Sequence, residues 1–231
     1  MTKPTRGNRW FLVASLAVPA ILYAVPHGRL IAYPLVLLST LVHELGHGVT
    51  AVLVGGHFHR FFLYADASGM AQVSVGGRLA SAMVAAGGLV GPACAAAVGF
   101  WVSTNPKRSR IALGVVAVVL ATIVVLYVRN LFGVMFVSAC SFVAAVIAFR
   151  ARPVVAELAV VFVSVQLALS VFSRGDYLFT PVARTDQGVS PSDVANMATA
   201  LWLPYWFWGA LCAAFSVTVL ALGLRRFLRA R

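Results

Sequence analysis

The chain has 231 residues, of which 61% are hydrophobic and 10% charged. A soluble domain of that size would need far more polar surface to cover it. The formal net charge of +12 suggests an anionic partner, but its distribution argues against nucleic acid, because no basic face lies free of the apolar runs.

The basic residues cluster at the ends of those runs: Lys3, Arg6 and Arg9; Lys107, Arg108 and Arg110; Arg150 and Arg152; Arg225, Arg226, Arg229 and Arg231. That is the pattern of membrane flanks facing headgroups. Cys94, Cys140 and Cys212 all lie inside apolar runs without CxxC spacing, which supports neither a disulfide framework nor a thiolate metal site. No polar stretch is long enough for a second domain, so residues 1–231 are expected to form one membrane domain in the cell membrane, with the lipid bilayer as its constant partner.

In chain order, the basic N-terminus and the run Trp10–Val25 resemble a signal sequence. Pro26 follows at once and no small-x-small cleavage site appears, so a retained first span is expected. A spanning helix needs roughly 20 apolar residues. Further candidates are Leu30–Val54, Leu79–Val102, Ile111–Val128, Leu131–Phe149, Val154–Phe172 and Ala198–Leu224.

Only Arg129-Asn130 separates the fourth and fifth of these seven candidates, marking either a tight turn between two spans or a break in one long element. The count is therefore six or seven. Gly87-Gly88 and Gly91-Pro92 predict a kink or a re-entrant turn in the third. Seven spans from an inside N-terminus would put Arg225–Arg231 outside, against the positive-inside rule; six, or a re-entrant third segment, would not.

Two segments are not spans. Gly55–Gly77 holds two extended runs around Ala65-Asp66-Ala67-Ser68-Gly69 and reads as a β-hairpin. Ser173–Asn196 is a polar loop, in which Ser190-Pro191-Ser192-Asp193 supplies capping residues for the last helix. Trp202, Tyr205, Trp206 and Trp208 suit an aromatic belt near one membrane surface.

The second span contains Leu-Val-His-Glu-Leu-Gly-His-Gly, residues 41–48. Positions i and i+4 share one helix face, so His43 and His47 can offer two imidazoles to one metal. Glu44 lies beside the metal's open position, where it can take a proton from bound water and pass it to a leaving amine. HExxH is short enough to arise by chance. In hydrocarbon, however, two imidazoles and a carboxylate are costly unless paired or metal-bound. Gly46 and Gly48 clear one helix face for close backbone approach.

These residues resemble the site-2 protease family of intramembrane zinc metalloproteases. The likeness rests on HELGHG inside a span, the hairpin directly after it, AAGGLVGPA at 85–93, and SDVANMATALWLPYWFWG at 192–209. It is greatest to the small bacterial branch without an added PDZ domain. The resemblance implies an all-α polytopic membrane protein with a small membrane-associated hairpin. It also implies Zn2+ held by His43 and His47, Glu44 as general base, and a membrane protein or peptide as substrate. The family's third ligand is an Asp in an Asn-Pro…Asp-Gly motif. This chain has no Asp-Gly pair, and Arg129-Asn130-Leu131-Phe132-Gly133 resembles only the Asn half. By the same resemblance, Asn130 would hold substrate or support the site.

With Glu44 assigned, five acids remain. Asp66 reads as a turn former, Asp186 as a solvated loop residue and Glu157 as half of an interfacial ion pair. Asp193 follows Ser192 at a helix start and reads first as a cap. Asp176 ends the Val154–Phe172 span, which span counting places on the same side as His43. Asp176 is therefore the expected third ligand and Asp193 the second choice; a surface pair with Arg174 is the bland alternative. His57 and His59 form His-x-His on a strand face, either a metal pair or histidines in the headgroup layer.

The main reading is a zinc endopeptidase acting within or beside the bilayer, with the hairpin edge offering an extended substrate a strand to pair with. A catalytically silent membrane protein that binds a partner is the alternative. A transporter fits poorly, because no repeated halves are present.

Overall fold

The computed structural model describes residues 12, 13, 15, 17, 28–173 and 175–230. All but four residues of the expected span Trp10–Val25 therefore lie outside the described residues. Among those described, six helices are long and apolar enough to cross a membrane. They are α1 (Gly28–Leu53), α2 (Arg78–Val102), α3 (Pro106–Leu126), α4 (Leu131–Arg150), α5 (Pro153–Ser173) and α7 (Tyr205–Arg229). The short helix α6 (Asp193–Leu201) precedes α7. The arrangement is that of an all-α polytopic membrane protein with two small two-stranded sheets. Leu53, Val125, Leu131 and Phe149 stand exposed on the outer faces, as lipid-facing side chains do.

Helix α2 is the hub and packs against α1, α5, α6 and α7. The expected re-entrant turn is absent: α2 runs unbroken through Gly87, Gly88 and Pro92. Its glycines form a groove instead. A Cβ on Gly46 would lie 2.3 Å from the Gly87 carbonyl oxygen, and one on Gly91 would lie 3.3 Å from the Gly46 Cα. Small residues thus let two membrane helices touch backbone to backbone. Gly48, on the same helix, faces the Phe58 ring rather than α2.

The expected hairpin is present. Strand β1 (His57–Leu63) pairs antiparallel with β2 (Gly69–Ser74), with Phe61 opposite Ala71, Leu63 opposite Gly69 and a bulge between Phe58 and Arg60. Arg129-Asn130 does mark a turn, and that turn extends the sheet. Phe61 donates its N–H to the Tyr127 carbonyl at 2.8 Å and accepts the Arg129 N–H at 3.0 Å. The Asn130 side chain then imitates a strand residue. Its Oδ1 accepts the Leu63 N–H at 3.2 Å, and its Nδ2 donates to the Leu63 carbonyl at 2.6 Å.

The last expected helix, Ala198–Leu224, is divided in two. Trp202 adopts a left-handed conformation (φ 63°) and donates its N–H to the Ala198 carbonyl, ending α6; Pro204 then starts α7. A residue before proline is biased away from the helical region, which breaks the apolar run at Leu203. Before α6, a 3-10 turn (Gly175–Phe179) leads into a second hairpin, β3 (Val182–Thr185) with β4 (Gly188–Pro191).

Candidate metal centre

His43 and His47 lie one turn apart on α1 and direct their rings to one point, as the i, i+4 spacing requires. Their Nε2 atoms are 3.2 Å apart. His47 Nδ1 lies 2.8 Å from the Val84 carbonyl on α2. A carbonyl only accepts, so Nδ1 carries the proton and Nε2 presents its lone pair. Gly88 makes room for that ring, since a Cβ there would lie 2.2 Å from the imidazole.

The carboxylate that joins them is Asp193. Its Oδ2 lies 3.1 Å from His43 Nε2 and its Oδ1 lies 3.5 Å from His47 Nε2. Among the described residues, His43, His47 and Asp193 are the cluster of three able to hold a metal ion. Asp176 lies in the 3-10 turn, and its side chain is outside the described residues. Asp193 reads as a helix cap from the sequence alone. Ser192 takes that role: its Oγ accepts the Ala195 N–H at 3.3 Å. Asp193, one position on, is thereby free to face the histidines.

The donor set fits a metal. Ligands about 2.0–2.1 Å from a tetrahedral zinc stand about 3.3 Å from one another, and the three ligand-atom separations here run from 3.1 to 3.5 Å. Asp193 Oδ2 is buried and faces His43 Nε2 at 3.1 Å, an arrangement that a shared cation would satisfy. Burial opposes charge on Asp193, but in the absence of a metal the adjacent imidazoles, once protonated, outweigh it and hold the carboxyl well below the usual range.

Glu44 is buried and points at β2, where its Oε2 accepts the Ala71 N–H at 2.8 Å. A Cβ on Gly69 would lie 2.7 Å from Glu44 Cγ. The glycine in the hairpin turn thus lets the strand come down onto the acid. Thr40, one turn earlier on α1, ties the same turn by donating to the Ala67 carbonyl at 2.8 Å.

The site opens into a cleft of about 1860 Å³ between β2 and the β3–β4 hairpin, lined by Gly69, Ala71, Val73, Tyr177 and Arg184 among others. Small-molecule pockets occupy about 300–1,000 Å³, so this cleft is of polypeptide size. The hairpin tips meet across it, with the Asp186 N–H donating to Asp66 Oδ2 at 2.9 Å. Asp66 Oδ1 accepts from the Ser68 N–H and Oγ at 2.9 and 2.6 Å, as the turn reading of Asp66 expected. His59 Nε2 sits 2.7 Å from Ser74 Oγ, and the ring centroids of His57 and His59 are 6.0 Å apart. No third ligand joins that pair among the described residues. Glu157 is buried near the start of α5, away from the cluster.

Fold and site together define a polytopic membrane protein with a His-His-Asp cluster compatible with zinc and a glutamate beside it. Residues 13–223 match the Peptidase M50B-like family, and the chain belongs to that family, which is the site-2 protease group of membrane metallopeptidases. No curated protein and no solved structure matches the chain.

Proposed function

We propose that the protein is a zinc-dependent endopeptidase that cleaves membrane-associated or transmembrane substrates, acting as a single domain over residues 1–231. His43, His47 and Asp193 would hold the ion, with Asp193 in the place first expected of Asp176. The observation that carries this reading is the convergence of three ligand atoms from two helices to within 3.1–3.5 Å, with Glu44 beside them.

When bound, zinc supplies Lewis acidity that polarises a carbonyl and lowers the pKa of water to about 7. The protein's own groups do the rest. Val84 fixes the His47 tautomer. Glu44 takes the proton of the attacking water and delivers it to the leaving nitrogen. The β2 edge binds substrate: Ala71 points its backbone away from β1 and spends its N–H on Glu44, so an extended segment would pair with the edge beside that contact and bring its amide to the metal. A helical segment hides its amides in its own hydrogen bonds and must unwind first.

The missing Asp-Gly motif favours a catalytically silent protein, but Asp193 beside the histidines would supply the carboxylate that motif gives. The test is zinc analysis of the purified protein together with cleavage of a membrane-anchored reporter. About one zinc per chain is expected, lost in His43→Ala, with cleavage abolished in Glu44→Gln. Cleavage that survives Glu44→Gln unchanged would refute the assignment.

A further inference from the structure

The proposed third ligand is carried by a helix of nine residues, too short to be stable alone. Helix α6 is held to α2 in two ways. Val194 and Met197 bury their side chains against Ala82, Ala85 and Leu89. At the other end, Arg78, the first residue of α2, forks onto the two consecutive carbonyls that close α6. Its Nε donates to Ala200 and its Nη2 to Thr199, both at 2.8 Å. The guanidinium also stacks 3.9 Å over the ring of Trp202, the residue whose left-handed backbone ends the helix.

Helix α2 thus touches both halves of the cluster. Its Val84 carbonyl and Gly88 seat His47, and its Arg78 clamps the helix that presents Asp193. We infer that Arg78 is a positioning residue for the metal centre: by fixing the end of α6, it sets the approach of Asp193 to the histidine pair. The inference rests on the His43, His47 and Asp193 ligand reading. It assigns Arg78 no contact with substrate or metal. A planar fork suits two adjacent carbonyls and an aromatic face together, and an ammonium does not reproduce it.

The structure contains its own control. Arg110 makes the same kind of fork onto Ala148 and Phe149 at the end of α4, at 2.9 and 3.4 Å, away from the cluster. The experiment follows zinc loss to a chelator from the full-length protein in detergent, for wild type, Arg78→Ala, Arg78→Lys, Arg110→Ala and Asp193→Ala, with a thermal melt of each. Zinc should leave Arg78→Ala about tenfold faster than wild type, the low end of what removing a supporting partner costs a metal site. Arg78→Lys should remain impaired, and Arg110→Ala should lose thermal stability while retaining zinc as wild type does. Equal zinc retention in wild type and both Arg78 variants would overturn the inference, as would equal acceleration in Arg110→Ala. If Arg78→Ala does not fold, Arg78→Lys decides alone. Zinc retained fully in Asp193→Ala would instead overturn the ligand reading beneath it.

Discussion

The Glu44 carboxylate accepts the backbone N–H of Ala71 at 2.8 Å. The helix that carries both histidines and the strand edge that faces the cleft therefore meet at one oxygen atom. Glu44→Gln keeps an acceptor for that N–H but cannot take a proton. We expect zinc content to stay at the wild-type level while reporter cleavage falls by about 10²–10⁴-fold. Metal analysis and cleavage assays on the same preparation check both halves.

Asp193→Ala and Asp176→Ala separate the two candidate carboxylates. Removing Asp193 leaves the histidine pair without its anion, so zinc should be lost and cleavage with it. Asp176→Ala should retain the metal. The reverse result would return the third position to Asp176.

Two glycines test the site from opposite sides. A methyl at Gly88 would meet the His47 ring at 2.2 Å. Gly88→Ala should therefore displace the ligand, empty the zinc and destabilise the fold by about 1–3 kcal/mol, as overpacking does. A methyl at Gly69 would press on Glu44 at 2.7 Å while leaving the ligands alone. Gly69→Ala should lower kcat with zinc retained. Equal zinc loss in both variants would contradict this division.

Asn130→Ala removes both bonds to Leu63 and leaves its buried backbone groups unpaired. A loss of about 1–3 kcal/mol is expected, visible as a lower Tm, with cleavage weakened because β1 supports β2.

The contact between the hairpin tips carries a pH dependence. Slight burial of Asp66 works against its charge, but the hydrogen bonds from Ser68 and from the Asp186 N–H outweigh it and depress the carboxyl. A depressed folded pKa stabilises above the unfolded value, about 3.9, and that contribution disappears as pH falls through the folded one. The amide resonances of Ser68 and Asp186 should thus hold steady through neutral pH and shift together only below about pH 4. Asp66→Asn should abolish that shift.

Much of this was legible in the sequence because it is local. The HELGH spacing, the hairpin and most of the spans follow from periodicity and turn chemistry. The clustering of Asp193 with the histidines was not, because it comes only through tertiary packing, and a Ser-Asp pair at a helix start reads as a cap whichever residue does the capping. The re-entrant alternative for α2 failed for a related reason. Glycines in an apolar run signal a break or a groove equally well, and only the presence of Gly46 opposite Gly87 decides between them. The division at Trp202–Pro204 was hidden by hydropathy, although Leu203 before proline was a usable signal.

The Asn130 amide has a consequence for polarity. By standing in for a strand's backbone, it seals one border of the β1–β2 ribbon, so that newcomers can approach only the opposite border, beside the Glu44 contact with Ala71. Any polypeptide that docks there does so on a single side of the ribbon, and a ribbon edge distinguishes one chain direction from the other. A scissors fixed beside such a one-sided ruler cuts at a set distance along it, so the cut position would follow strand register as well as the side chains that flank the bond.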